Sequence, residues 1–338
     1  MSEKWYLGAG AQNDIVLSTR IRLARNLSEY PFPAKLGIPE RIKVNNLIKD
    51  ALSCEGAPKL KYIEMKTLSQ YEAVSLAERH LISPEFASSG DGRALLLAPD
   101  EAVSIMLCEE DHIRLQVMYA GLALEEAFAY ANTIDDIIDS KLHYAFDERI
   151  GYLTQCPTNL GTGMRASVML HLPALTRCGQ MQRLVSTVSK LGLAIRGSYG
   201  EGSAAKGDLY QLSNQITLGI SEKSAIENLK SITLQIAAQE RAAREELCKD
   251  INYEDKIFRA YGILSQARLL TSDEFMELIS FVRLGAVKKL LPIDEHTVND
   301  LLVSMQPATI SLSVERPLDA QERDILRAQR VRDAIKEE

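Results

Sequence analysis

The sequence predicts an α+β fold: a mostly antiparallel sheet with interspersed helices, followed by an all-helical C-terminal domain. Three observations carry that prediction. Short runs alternating with a period of two recur up to about residue 219, and two of them face each other across a hairpin pattern. Helical patterns lie between those runs without the strict strand–helix alternation of a parallel sheet. From Glu222 onward the strand patterns stop, and charged amphipathic stretches take over at 222–249, 253–268, 272–291, 294–304 and 318–336, punctuated by Pro292, Pro307 and Pro317. A chain of 338 residues suits two domains. The expected division is 1–225 and 226–338, the second of a kind that often makes dimer contacts.

In chain order, residues 14–23 alternate as a strand does. Ile15, Leu17, Ile21 and Leu23 are expected on one face, with Ser18, Arg20 and Arg22 on the other. Two arginines side by side on an apolar strand are unusual, although a solvated sheet face would explain them in isolation. Prolines within 29–33 turn the chain, and Pro39–Leu52 reads as an amphipathic helix. Ser69–Arg79 is helical and ends at His80, a position where a lone histidine is more often structural than functional. Asp91-Gly92 leads into a buried strand over 93–98. The runs 102–108 and 113–118 form a hairpin with Glu109, Glu110 and Asp111 near its turn, and with Arg114, Gln116 and Met118 sharing a face. Gly121–Ser140 is a long helix. A strand-like run from Ile150 to Cys156 then ends in a Pro/Asn/Gly loop, and a helix is expected to start near Thr162 with Arg165 in its first turn. Gln180–Leu191 is helical, Leu193–Arg196 is a strand entering a glycine-rich turn, and Leu209–Gly219 is a further strand with its exit turn.

Composition removes several classes of function. Hydrophobic content of 46% and charged content of 25% are ordinary for a globular chain. No apolar run reaches membrane-spanning length and the N-terminus lacks a signal-peptide core, so the cytoplasm is the expected location and no membrane partner is expected. Cys54, Cys108, Cys156, Cys178 and Cys248 form no CxxC pair, which indicates neither a disulfide framework nor a zinc site. A net charge of −7 argues against nucleic-acid binding, while leaving room for arginines that the fold gathers locally. There is no G-x-x-x-x-G-K-[ST], no H-R-D with D-F-G, and no H-E-x-x-H.

What remains is a set of arginines on strands or at the expected helix start (Arg20, Arg22, Arg114, Arg165 and Arg196) and two glutamates in turns, Glu110 and Glu201. Around 156–170, Gly161 and Gly163 allow close backbone approach, and free N–H groups, a helix dipole and Arg165 would converge on a phosphate. An ordinary capped loop accounts for the same residues. Arginines suit a triphosphate because the planar fork binds phosphate oxygens in pairs and stays charged. Glutamates suit a cationic acceptor: two carboxylates can grip a guanidinium, aim one nitrogen at the γ-phosphate and take the departing proton.

Taken in order, Ser18-Thr-Arg-Ile-Arg, Glu109-Glu-Asp-His-Ile-Arg, Cys156-Pro-Thr-Asn-Leu-Gly-Thr-Gly-Met-Arg-Ala and Arg196-Gly-Ser-Tyr-Gly-Glu-Gly-Ser resemble the signatures of the ATP:guanidino phosphotransferase family, which contains the creatine and arginine kinases. The last of these turns and the helical C-terminal third are most similar to the family's bacterial protein-arginine kinases, and the resemblance covers nearly the whole chain. It implies an antiparallel-sheet guanidino-kinase catalytic domain over 1–225 and a helical domain for dimerisation and phosphoarginine binding over 226–338. By motif, Ser18, Thr19, Arg20, Ile21, Arg22, Arg114, Arg165, Ala166, Ser167, Val168, Met169, Arg196, Gly197, Ser198, Tyr199 and Gly200 would bind ATP, with His80 near the nucleotide. Glu110 would be the catalytic base and Glu201 its partner on the substrate guanidinium. Cys156 would be the reactive family cysteine, with a buried strand-end thiol as the plain alternative. No protein metal site is implied; Mg2+ would be held through ATP.

Cys108 stands where the family often has Asn, next to the acidic motif. The first motif begins near residue 18, so the small helical domain that precedes it in small-molecule guanidino kinases is expected to be absent, leaving a more open acceptor side. Arg323-Asp-Ile-Leu-Arg-Ala resembles the phosphoarginine-binding motif of the protein-arginine kinases and implies an allosteric site of Arg323, Asp324, Arg327 and Ala328. A solvated helix face would also explain it. The resemblance thus implies a protein-arginine kinase acting on exposed arginines of proteins in a stress response. It would mark proteins for a Clp protease, take a heat-shock repressor as a client, work with an activator protein and form a homodimer. The rival readings are a small-molecule arginine kinase and a catalytically silent phosphoarginine-binding adaptor.

Overall fold

The computed structural model describes residues 4–88, 90–197 and 205–336. Period-two alternation builds strands β1 (Val16–Arg25), β2 (Lys61–Glu64), β3 (Ala94–Leu97), β4 (Val103–Leu107), β5 (Ile113–Ala120), β6 (Phe146–Asp147), β7 (Gly151–Tyr152), β8 (Met164–His171), β9 (Leu193–Gly197) and β10 (Leu209–Asn214). All but β6 and β7, which pair with each other, join one sheet in the order β2-β3-β4-β5-β1-β8-β10-β9. Every pairing in it is antiparallel. The helices are α1 (Ile38–Ala51), α2 (Gln70–Glu78), α3 (Pro84–Ala87), α4 (Leu124–Asp139), α5 (Pro173–Arg177), α6 (Met181–Lys190), α7 (Glu222–Leu247), α8 (Ile251–Gln266), α9 (Ser272–Val287), α10 (Glu295–Ser304), α11 (Pro307–Leu312) and α12 (Ala320–Lys336). None of the described helices is long and apolar enough to cross a membrane.

The sheet has two unlike faces. On one, Ile21 and Leu23 of β1 stand opposite Val117 and Leu115 of β5 and opposite Ala166 and Met164 of β8, all buried. Helix α4 covers them with Leu124, Ala127, Ala131, Ile134 and Ile138, a stripe at helical spacing. The start of α4 is tied down by Thr19, whose hydroxyl donates to the Gly121 carbonyl (2.7 Å) and accepts from the Ala123 N–H (3.0 Å). The other face is apolar at its β3–β4–β5 end, where Leu95, Met106 and Met118 pack beneath Leu76 of α2 and Phe86 of α3, and again where Met169 and Leu209 meet the helical domain. Elsewhere the same face carries arginines.

Helix α7 buries Ala225, Ile226, Leu229, Ile236 and Ala237 in the core of the first face. A division at 225/226 therefore falls inside α7, whose apolar side belongs to the sheet. Helices α8, α9, α10 and α12 enclose a second core around Ile257, Leu264, Phe275, Ile279, Val282, Leu301 and Val331. Leu17, Met169 and Leu209 of the sheet pack against its edge.

Buried polar contacts join the two parts. Arg283 of α9 is fully buried and donates to the carbonyls of Asn13 (2.6 Å) and Asp14 (3.1 Å) and to Nδ1 of His171 (3.1 Å). Arg244 of α7 donates to the His171 carbonyl (2.8 Å) and pairs with Glu240 (2.7 Å). Glu240 in turn accepts the Ala174 and Leu175 N–H groups of α5. At the far end, Glu78 of α2 accepts the Ala308 (2.9 Å) and Thr309 (2.8 Å) N–H groups that begin α11.

Three local expectations are corrected. Residues 164–171 are a strand, not the start of a helix near Thr162. Met164, Ala166, Val168 and Leu170 are buried toward one face, and the segment bonds to β1 on one side and β10 on the other, so two strands would lose their partner if it coiled. Arg165 consequently lies on a strand. Residues 150–156 form strand only at Gly151–Tyr152, before a short 3-10 turn over Pro157–Asn159. Leu17 is not on the Ile21 face, because the β1–β8 register shifts between Val16 and Ser18 and sends it toward the helical domain. Helices α5 and α11 and strand β2 had no distinct signal in the sequence.

Candidate active site

Cross-strand register decides which side chains meet. On the arginine face, Arg20 stands opposite Met118 of β5 and Ser167 of β8. Arg22 stands opposite Gln116 and Arg165, and Arg114 is opposite Ala24 one step further. Toward the other end, Ser18 is level with Met169, then Gln211 of β10 and Arg196 of β9. Arg20, Arg22, Arg114, Arg165, Arg196, Ser18, Ser167 and Met169 thus share one face. Thr19, Ile21 and Ala166 turn their side chains to the opposite face, so only their backbone borders this one. Val168 edges a cavity on the arginine face although its side chain belongs to the other core. Gly197 ends β9 beside the face. Ser198, Tyr199, Gly200 and Glu201 lie outside the described residues.

Crowded positive charge dominates the electrostatics. Burial, then the neighbouring Arg114 and Arg165 guanidiniums, lower Arg20 to about 10. Burial lowers Arg22 well below the ordinary arginine value, with Arg20, Arg114 and Arg165 adding to it and Glu109 opposing. Arg20 is steadied by Gln211 Oε1 at 2.9 Å, whereas Nε of Arg22 is buried without a hydrogen-bond partner. A buried, unmatched donor among like charges fits a polyanion such as a triphosphate. His80 borders the same space; burial first, then Arg20, lowers it to about 4, so its ring is neutral. Among the described residues no group of three or more His, Cys, Asp and Glu side chains is arranged to hold a metal ion.

Beyond Arg22 and Arg114 lies the acidic turn, where each carboxylate has a different environment. Glu109 pairs with Arg114 (2.5 Å) and accepts the Ser83 hydroxyl (2.5 Å). Burial raises its pKa, but these partners outweigh burial and hold it below the usual range. Asp111 is buried and accepts from Asn26 Nδ2 (2.6 Å) and from the Gln155 N–H (2.8 Å). That second bond fastens the turn to the residue before Cys156. Glu110, between them, is half-buried and within hydrogen-bonding reach of the Cys156 thiol. Burial, then Asp111, raise its carboxyl above the ordinary value. A carboxylate with raised affinity for a proton, beside a thiol, can receive a proton from a cationic acceptor. Cys108 sits in the left-handed region (φ 56°) beneath the turn, and burial pushes its thiol up to about 12, so it is an inert core thiol.

Several residues that hold this arrangement were not singled out in the sequence. Arg25 pairs with Asp135 (2.8 Å), donates to the Thr162 carbonyl (3.0 Å) and lies 3.5 Å over the Tyr152 ring, bracing the loop that carries Cys156. Asn26 and Gln211 act through the contacts already given. Trp5, from the segment before β1, lines the cavities beside Ser18 and His80.

The motif on α12 is brought together differently from the expectation. Arg327 is buried and donates to the carbonyls of Met305 (3.0 Å) and Leu270 (2.7 Å) and to Asp324 (2.8 Å), while Ala328 packs in the second core. Arg323 stays partly accessible and donates to the Leu318 carbonyl. A groove of about 630 Å3 lined by Leu175, Arg183, Leu184 and Ala243 lies elsewhere and holds none of these groups.

Residues 43–243 match the ATP:guanido phosphotransferase C-terminal catalytic domain, and residues 250–338 match the protein-arginine kinase McsB C-terminal domain. The chain is 45% identical to a protein-arginine kinase of Moorella thermoacetica, covering 99% of this chain and 97% of that one. It is 46% identical to one from Caldanaerobacter subterraneus subsp. tengcongensis, covering 94% and 96%. Among solved structures, lombricine kinase superposes with a TM-score of 0.60 at 26% identity, covering 71% of this chain and 69% of that one. The duplicated taurocyamine kinase of Schistosoma mansoni with transition-state analogue components gives 0.61 at 26% identity, covering 71% and 36%.

Proposed function

The chain belongs to the ATP:guanido phosphotransferase family, and from that premise we propose that it is a protein-arginine kinase, transferring the γ-phosphoryl group of ATP to arginine side chains of proteins. The observation that carries the proposal is the order of groups along one sheet face: Ser18, Arg20, Arg22 with Arg165, then Arg114, then Glu110 beside Cys156. The arginine row supplies fixed positive charge for the phosphates, and the acidic end accepts a guanidinium. Relatives of nearly equal length that carry the name protein-arginine kinase support the choice of acceptor.

In the reaction so proposed, a nitrogen of the acceptor guanidinium attacks the γ-phosphorus while the bond to the β-phosphate oxygen breaks and ADP leaves. The nitrogen's proton passes to the Glu110 carboxylate. Arg20, Arg22, Arg114, Arg165 and Arg196 hold the phosphates, and Mg2+ arriving with the nucleotide would neutralise their charge. Cys156, beside Glu110, would fix the acceptor's orientation, with Glu201 as the second carboxylate.

The sequence resemblance also supports a wider role, which remains part of the proposal: a cytoplasmic homodimer with an activator protein, acting in stress by marking proteins for a Clp protease and modifying a heat-shock repressor. Arg323 and Asp324 would be the accessible part of a phosphoarginine site, with Arg327 and Ala328 as its floor.

The test is incubation with Mg-ATP and an unfolded protein, followed by mapping of acid-labile N–P phosphorylation by mass spectrometry. Phosphoarginine on the protein is expected, and Glu110→Gln should lower the rate by roughly 10²- to 10⁴-fold. Label on free arginine but never on protein would favour a small-molecule kinase; no transfer to either would leave only a binding role.

A further inference from the structure

The arginine row accounts for a triphosphate, but the same face continues past Ser18 into a cavity that phosphates do not explain. Leu17, Met169 and Leu209 line it from the sheet, and Met276 of α9 with Asn299 and Leu302 of α10 line it from the helical domain. Ser18 and His80 border both this cavity and the one at Arg20, so the two spaces adjoin. The strand serves as a ruler. Residues advance about 3.4 Å each along an antiparallel strand, which places Ser18 ~14 Å from Arg22. That is the reach of a nucleoside triphosphate from its terminal phosphate to its base.

Two residues with side-chain donors line the cavity, Trp5 and Asn299. The indole N–H of Trp5 is buried without a hydrogen-bond partner. The side-chain oxygen of Asn299 accepts from Nε of Arg283 at 3.2 Å, and Arg283 is itself fixed by the Asn13 and Asp14 carbonyls. With its oxygen committed to Arg283, Asn299 lines the cavity with its NH2 left to donate. The cavity is about 60 Å3, tighter than a purine, and the side chains that must yield are the unbranched Met169 and Met276, which repack at small cost.

We propose that the helical C-terminal domain completes the nucleotide site. The base of ATP lodges between Met169 and Leu209 of the sheet and Met276, Leu302 and Val303 of the helices, and Asn299 donates to a ring nitrogen of the base. Asn299 is then a specificity-determining residue for the nucleotide, contributed by a domain separate from the one that holds the phosphates. This rests on the reading above only in taking ATP as the phosphoryl donor.

Calorimetric titration of the full chain with Mg-ATP and with Mg-tripolyphosphate, which has no base, tests it. Asn299→Asp keeps the acceptor for Arg283 and replaces the donor with a repelling oxygen; Val303→Phe fills the cavity without touching Arg283. Each should weaken ATP about tenfold and leave tripolyphosphate unchanged. Trp5 is the chain's one tryptophan, so in Asn299→Asp and wild type its emission reports occupancy directly, and ATP should shift it where tripolyphosphate does not. ATP affinity within twofold of wild type in both variants, equal weakening of tripolyphosphate, or no ATP-dependent change in Trp5 emission would each overturn the proposal. Phosphoryl transfer is not read in these titrations, so the base pocket and the protein-arginine kinase reading can fail separately.

Discussion

At the scale of single residues, the arginine face is arranged for a ligand at the expense of the empty protein. Arg22 is the sharpest case, its charge disfavoured by burial and by three neighbouring guanidiniums. Removing that charge relieves repulsion in the unliganded chain and removes a partner from the phosphates. Arg22→Met should therefore unfold in urea at a concentration equal to or above wild type, while its affinity for Mg-ATP falls about a hundredfold, the scale of a lost charge-assisted pair. Marked destabilisation of the unliganded variant would show that Arg22 is structural instead. Glu110 makes a second prediction. As the proposed base it must be ionised, and its carboxyl is raised, so activity should fail on acidification at a higher pH than an ordinary glutamate would allow. Asp111 is, after burial, the main cause of that rise. Asp111→Asn keeps an oxygen for the Gln155 N–H and removes the charge. It should move the acid limb of the rate profile to lower pH, and an unmoved limb would detach the profile from Glu110.

At the scale of elements, the loop between β7 and β8 is where geometry is least tolerant. Gly161 has φ +101°, and a Cβ there would collide with the Thr217 carbonyl oxygen. Its own carbonyl accepts the Tyr152 N–H at 2.8 Å, and Thr162 N–H donates to Thr217 at 3.0 Å. Gly161→Ala should displace Cys156 from Glu110 and cost on the order of 1–3 kcal/mol of stability. Thermal unfolding and the transfer rate would both fall; loss of rate at unchanged melting temperature would confine the strain to the site. This loop also marks the limit of what could be read from the sequence. From Arg20 to Leu23 in β1 and from Ile113 to Val117 in β5, apolar and polar residues alternate, so Arg20, Arg22 and Arg114 could be placed on one side of a sheet in advance. In Met164–His171, Ala166, Met169 and Leu170 also fit a helical spacing, and what decides is the need of β1 and β10 for a partner. Asp111 was legible as an acid in a turn, but its partners Asn26 and Gln155 are 85 and 44 residues away. Asn299 left no signal, because its orientation comes from Arg283 and its place in the site comes from the meeting of two domains.

At the scale of the whole molecule, the two cores are joined by buried polar groups rather than by apolar surface alone, which makes the joint sensitive to acid. His171 ends β8, fully buried against Arg244 and Arg283, with Nε2 2.9 Å from the Ser280 hydroxyl, which itself donates to Asp208 (2.6 Å). Burial, then the two guanidiniums, lower its pKa well below 6.5. His112, fully buried at the acidic turn, is lowered to about 4, chiefly by burial. Both folded values lie below the unfolded value near 6.5, so above that pH neither state is protonated and the contribution to stability is fully present. As pH falls below 6.5, the unfolded chain binds protons that the folded chain refuses, and stability declines toward a limit of about 1.4 kcal/mol per pH unit per histidine. The window from pH 8 to pH 6 lies above the ordinary carboxylate range, where the opposite-signed contribution of Asp135 and Glu240, both raised by burial, is smallest. Urea unfolding across that window should show a loss of roughly 1 kcal/mol for each of His171 and His112 and, by the same sign, for His80, which is lowered to about 4. His171→Gln should abolish its share of the slope even if its absolute stability is lower, because the amide cannot take up the proton. An unchanged slope in that variant would mean that the junction between the domains is not what titrates.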